Sequence, residues 1–221
     1  MPQPLILASQ SPRRRALLAA LGLTFTVDAA DVDETPRPNE APADLVGRLG
    51  LMKARAVAAR HPGAVVLAAD TVVVLDAAVL GKPVDPDEAW AMLRALRGRT
   101  HQVYTAVIVS TDGAAGAQRL TTRFAESCVL SCSDVTMRPY SDAEIAGYVA
   151  SGDPLDKAGA YAIQHPLFAP VAGWAGCYTG IMGLPLRIAA DLLREAGIYA
   201  PADIAATCAG IGGRCCARPA L

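Results

Sequence analysis

The feature that most restricts the fold of this chain is an apolar run that is followed directly by a serine-rich turn and a helix. Residues 5–8 are apolar and predict a buried strand. Ser11 and Pro12 are typical of a helix start, with a capping hydroxyl group and a proline in the first turn. Leucines then recur on one helix face, and Gly22 ends the helix. A strand joined this closely to an amphipathic helix is typical of α/β proteins.

Three consecutive arginines follow Pro12, in the first turn of the predicted helix. The first N–H groups of a helix lack partners inside the helix, and the helix dipole attracts anions there. The hydroxyl group of Ser9 and the guanidinium groups of Arg13 and Arg14 suit phosphate oxygens. This turn therefore predicts a phosphate site. The alternative is a solvated basic helix face, since three consecutive arginines cannot all point the same way.

Length and charge exclude some classes of protein. A chain of 221 residues, of which 52% are apolar, is long enough for one large domain or two lobes with a substantial core. The formal net charge of −1 argues against a nucleic-acid partner. The longest apolar run, 64–80, is interrupted by polar residues and is shorter than a membrane span, and no N-terminal stretch is typical of a signal peptide. We therefore expect a cytoplasmic protein without a membrane partner.

The order of the predicted elements indicates an α/β fold with a mixed twisted sheet, flanking helices and two lobes around a cleft. The periodicity predicts strands at 23–28, 64–70, 72–75, 102–110 and within 119–136. It predicts helices at 43–60, 85–97, 141–150 and 186–196, with a Gly/Ala loop at 112–117. Residues 1–200 are expected to form a single domain of two lobes.

The last residues, 201–221, are predicted to form a flexible tail, because the segment from Cys208 onward shows no periodicity. A metal site built from Cys208, Cys215 and Cys216 is an alternative, but the spacing matches no common zinc pattern. The chain has six cysteines and no CxxC pair, so free thiols are the expected state.

A single carboxylate, Asp70, lies in the apolar run VVLAADTVVVLD at 65–76. Burying an unpaired carboxylate costs several kcal/mol. Asp70 is therefore predicted to be a metal ligand or a general base at the end of a central strand. The alternative is an aspartate that caps a turn at a strand end. The neighbouring Thr71 is available to donate a hydrogen bond.

Other charged residues carry weaker signals. Lysine is scarce in a chain that otherwise uses arginine, so Lys53, Lys82 and Lys157 are candidate functional residues, although each alone is more often a surface residue. Glu34 lies in an acidic, proline-rich stretch at 31–42. It is either a second carboxylate for a divalent cation such as Mg²⁺, or part of a solvated loop.

Several catalytic classes lack support in the sequence. There is no GxxxxGK[ST] motif, no GxGxxG after a predicted strand and no GxSxG. The three histidines, His61, His101 and His165, are isolated and are interpreted as structural. Covalent catalysis therefore has no visible nucleophile.

Six short stretches in this order resemble the Maf family: SQSPRR at 9–14, DE at 33–34, KARA at 53–56, AADT at 68–71, GKP at 81–83 and DKAGAYAIQ at 156–164. The resemblance covers most of the chain. It implies a Maf-type α/β fold, related to the inosine-triphosphate pyrophosphatases, with a deep cleft between two lobes. It also implies hydrolysis of nucleoside triphosphates to the monophosphate and pyrophosphate with Mg²⁺ or Mn²⁺, a house-cleaning role and a homodimer.

The resemblance assigns roles to individual residues. Asp70 corresponds to the general base, Glu34 to an acidic partner of the metal or water, and Lys82 to a further catalytic residue; Asp70 and Glu34 are the implied metal ligands. Substrate contacts are implied at six positions: Ser9, Arg13, Arg14, Lys53, Thr71 and Gln164.

The form of the last stretch, with Lys157 and Gln164, resembles the branch of the family that prefers dTTP and UTP, and it leaves modified pyrimidine nucleotides as further substrates. Ala162 and His165 replace two glycines of the usual family pattern and add bulk beside Gln164. Two alternatives stay open. The first is the same chemistry on 7-methyl-GTP or another modified nucleotide, and the second is a non-enzymatic nucleotide-binding regulator of septum formation.

Overall fold

The computed structural model describes residues 3–112 and 124–213. Most of the predicted Gly/Ala loop at 112–117, the start of the predicted strand region at 119, and Cys215 and Cys216 lie outside the described residues. Within the described ranges, no helix is both long and apolar enough to cross a membrane.

Strands and helices alternate in the first part of the chain, and strands dominate its middle. The strands are β1 (Leu5–Leu7), β2 (Thr26–Val27), β3 (Val65–Leu75), β4 (Ala78–Leu80), β5 (Thr100–Asp112), β6 (Phe124–Met137) and β7 (Val171–Ala175). The α-helices are α1 (Pro12–Ala20), α2 (Pro42–Ala58), α3 (Pro86–Leu96), α4 (Asp142–Ala150), α5 (Tyr178–Ile181), α6 (Leu186–Glu195) and α7 (Ile204–Gly210).

The described strands form one mixed sheet in the order β2-β1-β3-β5-β6-β7, and β4 pairs with the second half of β3. The pairs β2-β1 and β1-β3 are parallel, whereas β3-β5, β5-β6 and β6-β7 are antiparallel. Helices flank this sheet, so the predicted α/β class with a mixed sheet is confirmed.

The central strand β3 directs its side chains alternately to the two faces of the sheet. Ala68 belongs to the core that packs on α2, and Ala69 belongs to the core that packs on α1 and α6. The alternation continues, so that Asp70 faces Lys53 of α2 and Thr71 faces α1. A third core, around α3 and α4, covers the Thr71 face of the second half of β3 at Val73 and Leu75. Asp70 therefore interrupts the core on the α2 face, and Thr71 lies between the two cores on the other face.

Element boundaries differ from the predictions at β3 and near the sheet edges. The two predicted segments at 64–70 and 72–75 form one strand, because β5 pairs with β3 continuously from Val66 to Val74. Backbone pairing on this scale keeps Asp70 and Thr71 extended although their side chains are polar. The strand predicted at 23–28 is only two residues long, and β4, β7 and α5 are elements that the periodicity did not predict.

The segment predicted as a flexible tail contains α7, so that prediction is wrong for residues 204–210. The side chain of Asp203 caps this helix, and Cys208 is buried in the core beside α6. Ile204, Cys208 and Ile211 follow a helical spacing and contact this core. This short apolar face was not predicted from the sequence, because it spans only two turns.

His101, on β5, predicts a pH dependence of stability. Its side chain is 2% exposed and its Nε2 atom lies 2.7 Å from the hydroxyl oxygen of Tyr161. Burial lowers the pKa of His101 to about 4, whereas the unfolded chain titrates near 6.5. As pH falls from 7 to 5, the unfolded state takes up the proton first, and the folded state loses about 2 kcal/mol of stability.

The measurement is urea unfolding at pH 7 and pH 5 for the wild type and His101→Gln. We expect the variant to lose about 2 kcal/mol less over this interval, because glutamine does not titrate. Equal losses for the two proteins would contradict this assignment.

Candidate active site

All nine residues predicted from the sequence as site residues line one cavity of about 960 Å³. They come from the β1–α1 turn, the loop before α2, α2, β3, the turn after β4 and the segment after the 3₁₀ turns at 153–160. They are Ser9, Arg13, Arg14, Glu34, Lys53, Asp70, Thr71, Lys82 and Gln164. The fold therefore brings together every one of these positions, and their individual roles stay predictions.

Asp70 lies in the middle of β3, with 6% of its surface exposed. The alternative that it caps a turn at a strand end is therefore wrong, and so is the expectation that it ends a central strand. Lys53 Nζ lies 2.5 Å from Asp70 Oδ1 and 2.7 Å from Glu34 Oε1. One ammonium group thus compensates the buried carboxylate and holds a second, half-exposed carboxylate beside it.

Glu34 is not a freely solvated loop residue. Burial raises the pKa of its carboxyl group, but the hydrogen bond and charge of Lys53 outweigh burial, so the pKa lies below its usual value. The charges of Lys82 and Arg14 act in the same direction. Glu34 is therefore ionised at neutral pH and available as an oxygen ligand.

The side chain of Arg14, in the first turn of α1, contacts three oxygen acceptors. Its guanidinium group donates to the carbonyl oxygen of Gly183 at 2.9 Å, to Thr71 Oγ1 at 3.0 Å and to Ser9 Oγ at 3.4 Å. Burial lowers the pKa of Arg14, but an arginine remains protonated at any working pH. Arg15 is exposed, so the solvated-face alternative holds for this residue only.

Gly183 is required for this arrangement. Its φ of +108° is unfavourable for other residues, and a Cβ atom built there would lie 3.3 Å from Arg14 Nε and 3.5 Å from Thr71 Oγ1. Gly183 was not predicted as a site residue, since nothing in the local sequence indicates how closely α1 approaches it.

Arg13 pairs with Asp156, a cavity residue that sequence reasoning missed. Arg13 Nη1 lies 3.2 Å from Asp156 Oδ2, and Lys157 Nζ lies 2.6 Å from Asp156 Oδ1. Burial raises the pKa of Asp156, but Lys157 and Arg13 together hold it below its usual value. Asp156 stands in the DKAGAY stretch, where its position was visible but its partner was not.

Lys82 and Gln164 complete the cavity wall. Among the described residues, no carboxylate oxygen lies within 4.0 Å of Lys82 Nζ. Its charge is therefore less compensated than that of Lys53, which contacts two carboxylates. An ammonium group in a cavity without a contacting carboxylate favours an anionic ligand.

The donor set is compatible with a divalent cation that is completed by a ligand. Among residues 3–112 and 124–213, no group of three or more His, Cys, Asp or Glu side chains converges. Glu34 and Asp70 nevertheless converge on one cationic atom, Lys53 Nζ. Mg²⁺ is commonly bound by one or two carboxylates together with substrate phosphates. These two residues therefore fit such an ion.

Comparison with known proteins agrees with this geometry. Residues 4–196 match the family described as Maf-like protein. A dTTP/UTP pyrophosphatase of Myxococcus xanthus (strain DK1622) is 52% identical over 197 residues, which cover 89% of this chain and 94% of that protein. A dTTP/UTP pyrophosphatase of Thermomicrobium roseum is 48% identical over 194 residues, which cover 87% of this chain and 84% of that protein. By the extent of these matches, the chain belongs to the Maf family.

Proposed function

We propose that this protein is a nucleoside triphosphate pyrophosphatase that hydrolyses dTTP and UTP, and modified pyrimidine nucleotides, to the monophosphate and pyrophosphate. The observation that carries the proposal is one cavity that is lined by four cationic side chains, Arg13, Arg14, Lys53 and Lys82, together with a buried carboxylate, Asp70. Relatives named dTTP/UTP pyrophosphatase that are 46–52% identical to this chain support the choice of nucleotide.

Binding a triphosphate requires that its negative charge be compensated. The N-terminus of α1, with Ser9 and the two arginines, supplies N–H and O–H donors at one end of the cavity. Lys53 and Lys82 lie on other parts of the cavity wall and supply ammonium groups there. Because phosphoryl transfer needs little covalent help from the protein, positioning and charge compensation suffice.

Asp70 is proposed to accept the proton of the attacking water at a carboxylate oxygen. Its carboxylate is held in place by Lys53, so the oxygen is oriented before the substrate arrives. Lys82 is proposed to stabilise the negative charge on the departing pyrophosphate. Arg14 is proposed to contact phosphate oxygens of the bound substrate and of the transition state alike. No side chain of the protein needs to form a covalent bond with the substrate.

Glu34 and Asp70 are the residues that would hold a divalent cation. When bound, such an ion compensates phosphate charge and lowers the pKa of a water ligand. Lys53 would then hold the two carboxylates in position next to the ion.

A nucleotide panel tests the function directly. The protein is incubated with Mg²⁺ and dTTP, UTP, 7-methyl-GTP or the standard purine triphosphates, and phosphate is measured after added inorganic pyrophosphatase. We expect the fastest release with dTTP and UTP. Preference for 7-methyl-GTP would select the first alternative, and no release from any nucleotide would favour a non-enzymatic regulator.

Gln164 is proposed to contact the base. We expect Gln164→Ala to change the preference between nucleotides more than the maximal rate, because an amide side chain hydrogen-bonds base edges and does not activate water. The measurement is kcat/KM for dTTP, UTP and 7-methyl-GTP. Equal losses on all three nucleotides would contradict a role in base recognition.

The proposal extends to the setting of the enzyme. We propose a cytoplasmic homodimer whose residues 1–200 form a single domain of two lobes. Its proposed small-molecule partner is a nucleoside triphosphate, with no nucleic-acid and no membrane partner. Light scattering after size exclusion tests the dimer, and a monomer at micromolar concentration would contradict it.

A further inference from the structure

We propose that Thr105, a buried residue of β5, positions the guanidinium group of Arg14 through the hydroxyl group of Thr71. The inference rests on the proposed function, because it treats Arg14 as a phosphate contact. Arg14 and Thr71 line the cavity, whereas Thr105 lies behind them. Thr105 is therefore a positioning residue.

The contacts form a continuous chain of hydrogen bonds. Thr71 on β3 and Thr105 on β5 lie directly opposite each other in the antiparallel ladder. Their hydroxyl oxygens are 2.9 Å apart. Thr71 Oγ1 lies 3.0 Å from Arg14 Nη2, and Thr105 Oγ1 lies 2.9 Å from the carbonyl oxygen of Gly180. Thr105 is 1% exposed, so water does not compete for the two bonds that its hydroxyl group makes.

The chemistry of the four groups permits one arrangement of protons. The guanidinium group only donates, the carbonyl oxygen of Gly180 only accepts, and each hydroxyl group has one proton. Thr105 must therefore donate to Gly180, and Thr71 must donate to Thr105. This leaves the Thr71 oxygen as an acceptor that faces Arg14. The proton of Thr71 is used inside the protein, so Thr71 does not donate to a bound ligand.

This series of hydrogen bonds leads back to Arg14 through α5 and the turn after it. Arg14 Nε donates to the carbonyl oxygen of Gly183 at 2.9 Å, three residues after Gly180. Arg14 is thus held directly by Gly183 and indirectly, through Thr71 and Thr105, by Gly180 of the same short segment. Removing the Thr105 hydroxyl group frees the O–H group of Thr71 to rotate, and the lone pair that faces Arg14 is no longer fixed. A long side chain with more accessible rotamers binds phosphate less tightly.

Thr105→Val tests the inference, because valine keeps the shape and removes the hydroxyl group. With dTTP and Mg²⁺ we expect KM to rise about tenfold while kcat changes less than about threefold, the pattern of lost binding that ground state and transition state share. Thr105→Ser should restore KM to within about twofold of the wild type. Calorimetric titration with inorganic tripolyphosphate, which needs no turnover, should show the same weakening in Thr105→Val.

Thr100→Val is the matched control. Thr100 and Thr136 form another cross-strand pair of hydroxyl groups, 2.9 Å apart, at the exposed end of the same strand. Neither residue lines the cavity. We expect this variant to bind dTTP and tripolyphosphate as the wild type does.

Coupling between residues separates a positioning role from a general structural role. If Thr105 acts through Arg14, adding Thr105→Val to an Arg14→Lys variant should change KM by less than about twofold. The double variant Thr71→Val/Thr105→Val replaces both hydroxyl groups by apolar groups of the same shape, so it keeps the core packed even if the single variant folds poorly. Its KM should match that of Thr71→Val.

The outcomes are distinguishable. An unchanged KM and tripolyphosphate affinity in Thr105→Val would overturn the inference. An equal effect of Thr105→Val in the wild type and in the Arg14→Lys variant would overturn it as well. A wild-type protein that releases no pyrophosphate from any nucleotide would refute the proposed function instead, and tripolyphosphate binding would still decide the role of Thr105.

Discussion

Replacing Asp70 by asparagine is expected to lower the rate of pyrophosphate release about 10³-fold or more while the fold stays intact. General acid–base catalysis by a positioned side chain contributes roughly 10²- to 10⁴-fold, and an amide cannot accept the proton of water. Lys53 keeps an ion-pair partner in this variant, because Glu34 Oε1 lies 2.7 Å from its ammonium nitrogen. The stability loss should therefore be small compared with the loss of rate.

The measurement is kcat for dTTP together with urea unfolding. Asp76→Asn is the matched control: Asp76 belongs to the turn after β3, is exposed and pairs with Arg99. Its φ of +50° is one that asparagine tolerates well. We expect normal turnover in this control. A folded Asp70→Asn variant with near-normal turnover would remove Asp70 from the mechanism.

Replacing Lys53 by methionine is expected to cost about 3 kcal/mol of stability, in addition to the loss of activity. Methionine retains much of the side-chain volume but leaves Asp70, which is 6% exposed, without its cation. Removing one partner of a buried ion pair leaves an uncompensated charge and typically costs about 3–5 kcal/mol. Glu34 is half-exposed and can turn to solvent, so it adds little to this cost.

Two comparisons isolate the cause. Lys157 is as buried as Lys53, but the side chains of its carboxylate partners Asp153 and Asp156 are 35% and 56% exposed, against 8% for Asp70. We expect Lys157→Met to cost about 1 kcal/mol. The double variant Lys53→Met/Asp70→Asn should recover at least half of the loss, because no buried charge remains. If the double variant is no more stable than Lys53→Met, the cost comes from packing and not from charge.

Local sequence patterns were sufficient to predict the helix that carries Arg14 and the strand that carries Asp70. The serine and proline at 11–12 start α1 as predicted, with Ser11 accepting a hydrogen bond from the backbone of Arg14. The apolar run around Asp70 forms the central strand. Short apolar segments such as α7 were not recognised, because two turns of helix carry too little periodicity to stand out from an irregular tail.

The contacts between site residues were less predictable from the sequence than the positions of those residues along the chain. Asp70 and Thr71 are adjacent in the sequence, yet one meets Lys53 and the other meets Arg14. Asp156 was visible in its motif, but its contact with Arg13 joins residues 143 positions apart. No local pattern encodes such a contact.

By itself, the sequence determined the strand–turn–helix order, the capping of α1 and the inventory of charged groups, because these depend on residues within a few positions of one another. Only the tertiary structure decided that Lys53 compensates Asp70 and that Thr105 stands behind Thr71. Both pairings follow from the register of β3 against β5 and from the packing of α1 and α2 on opposite faces of the sheet. Register and packing minimise the free energy of the whole core, and no short segment contains that information.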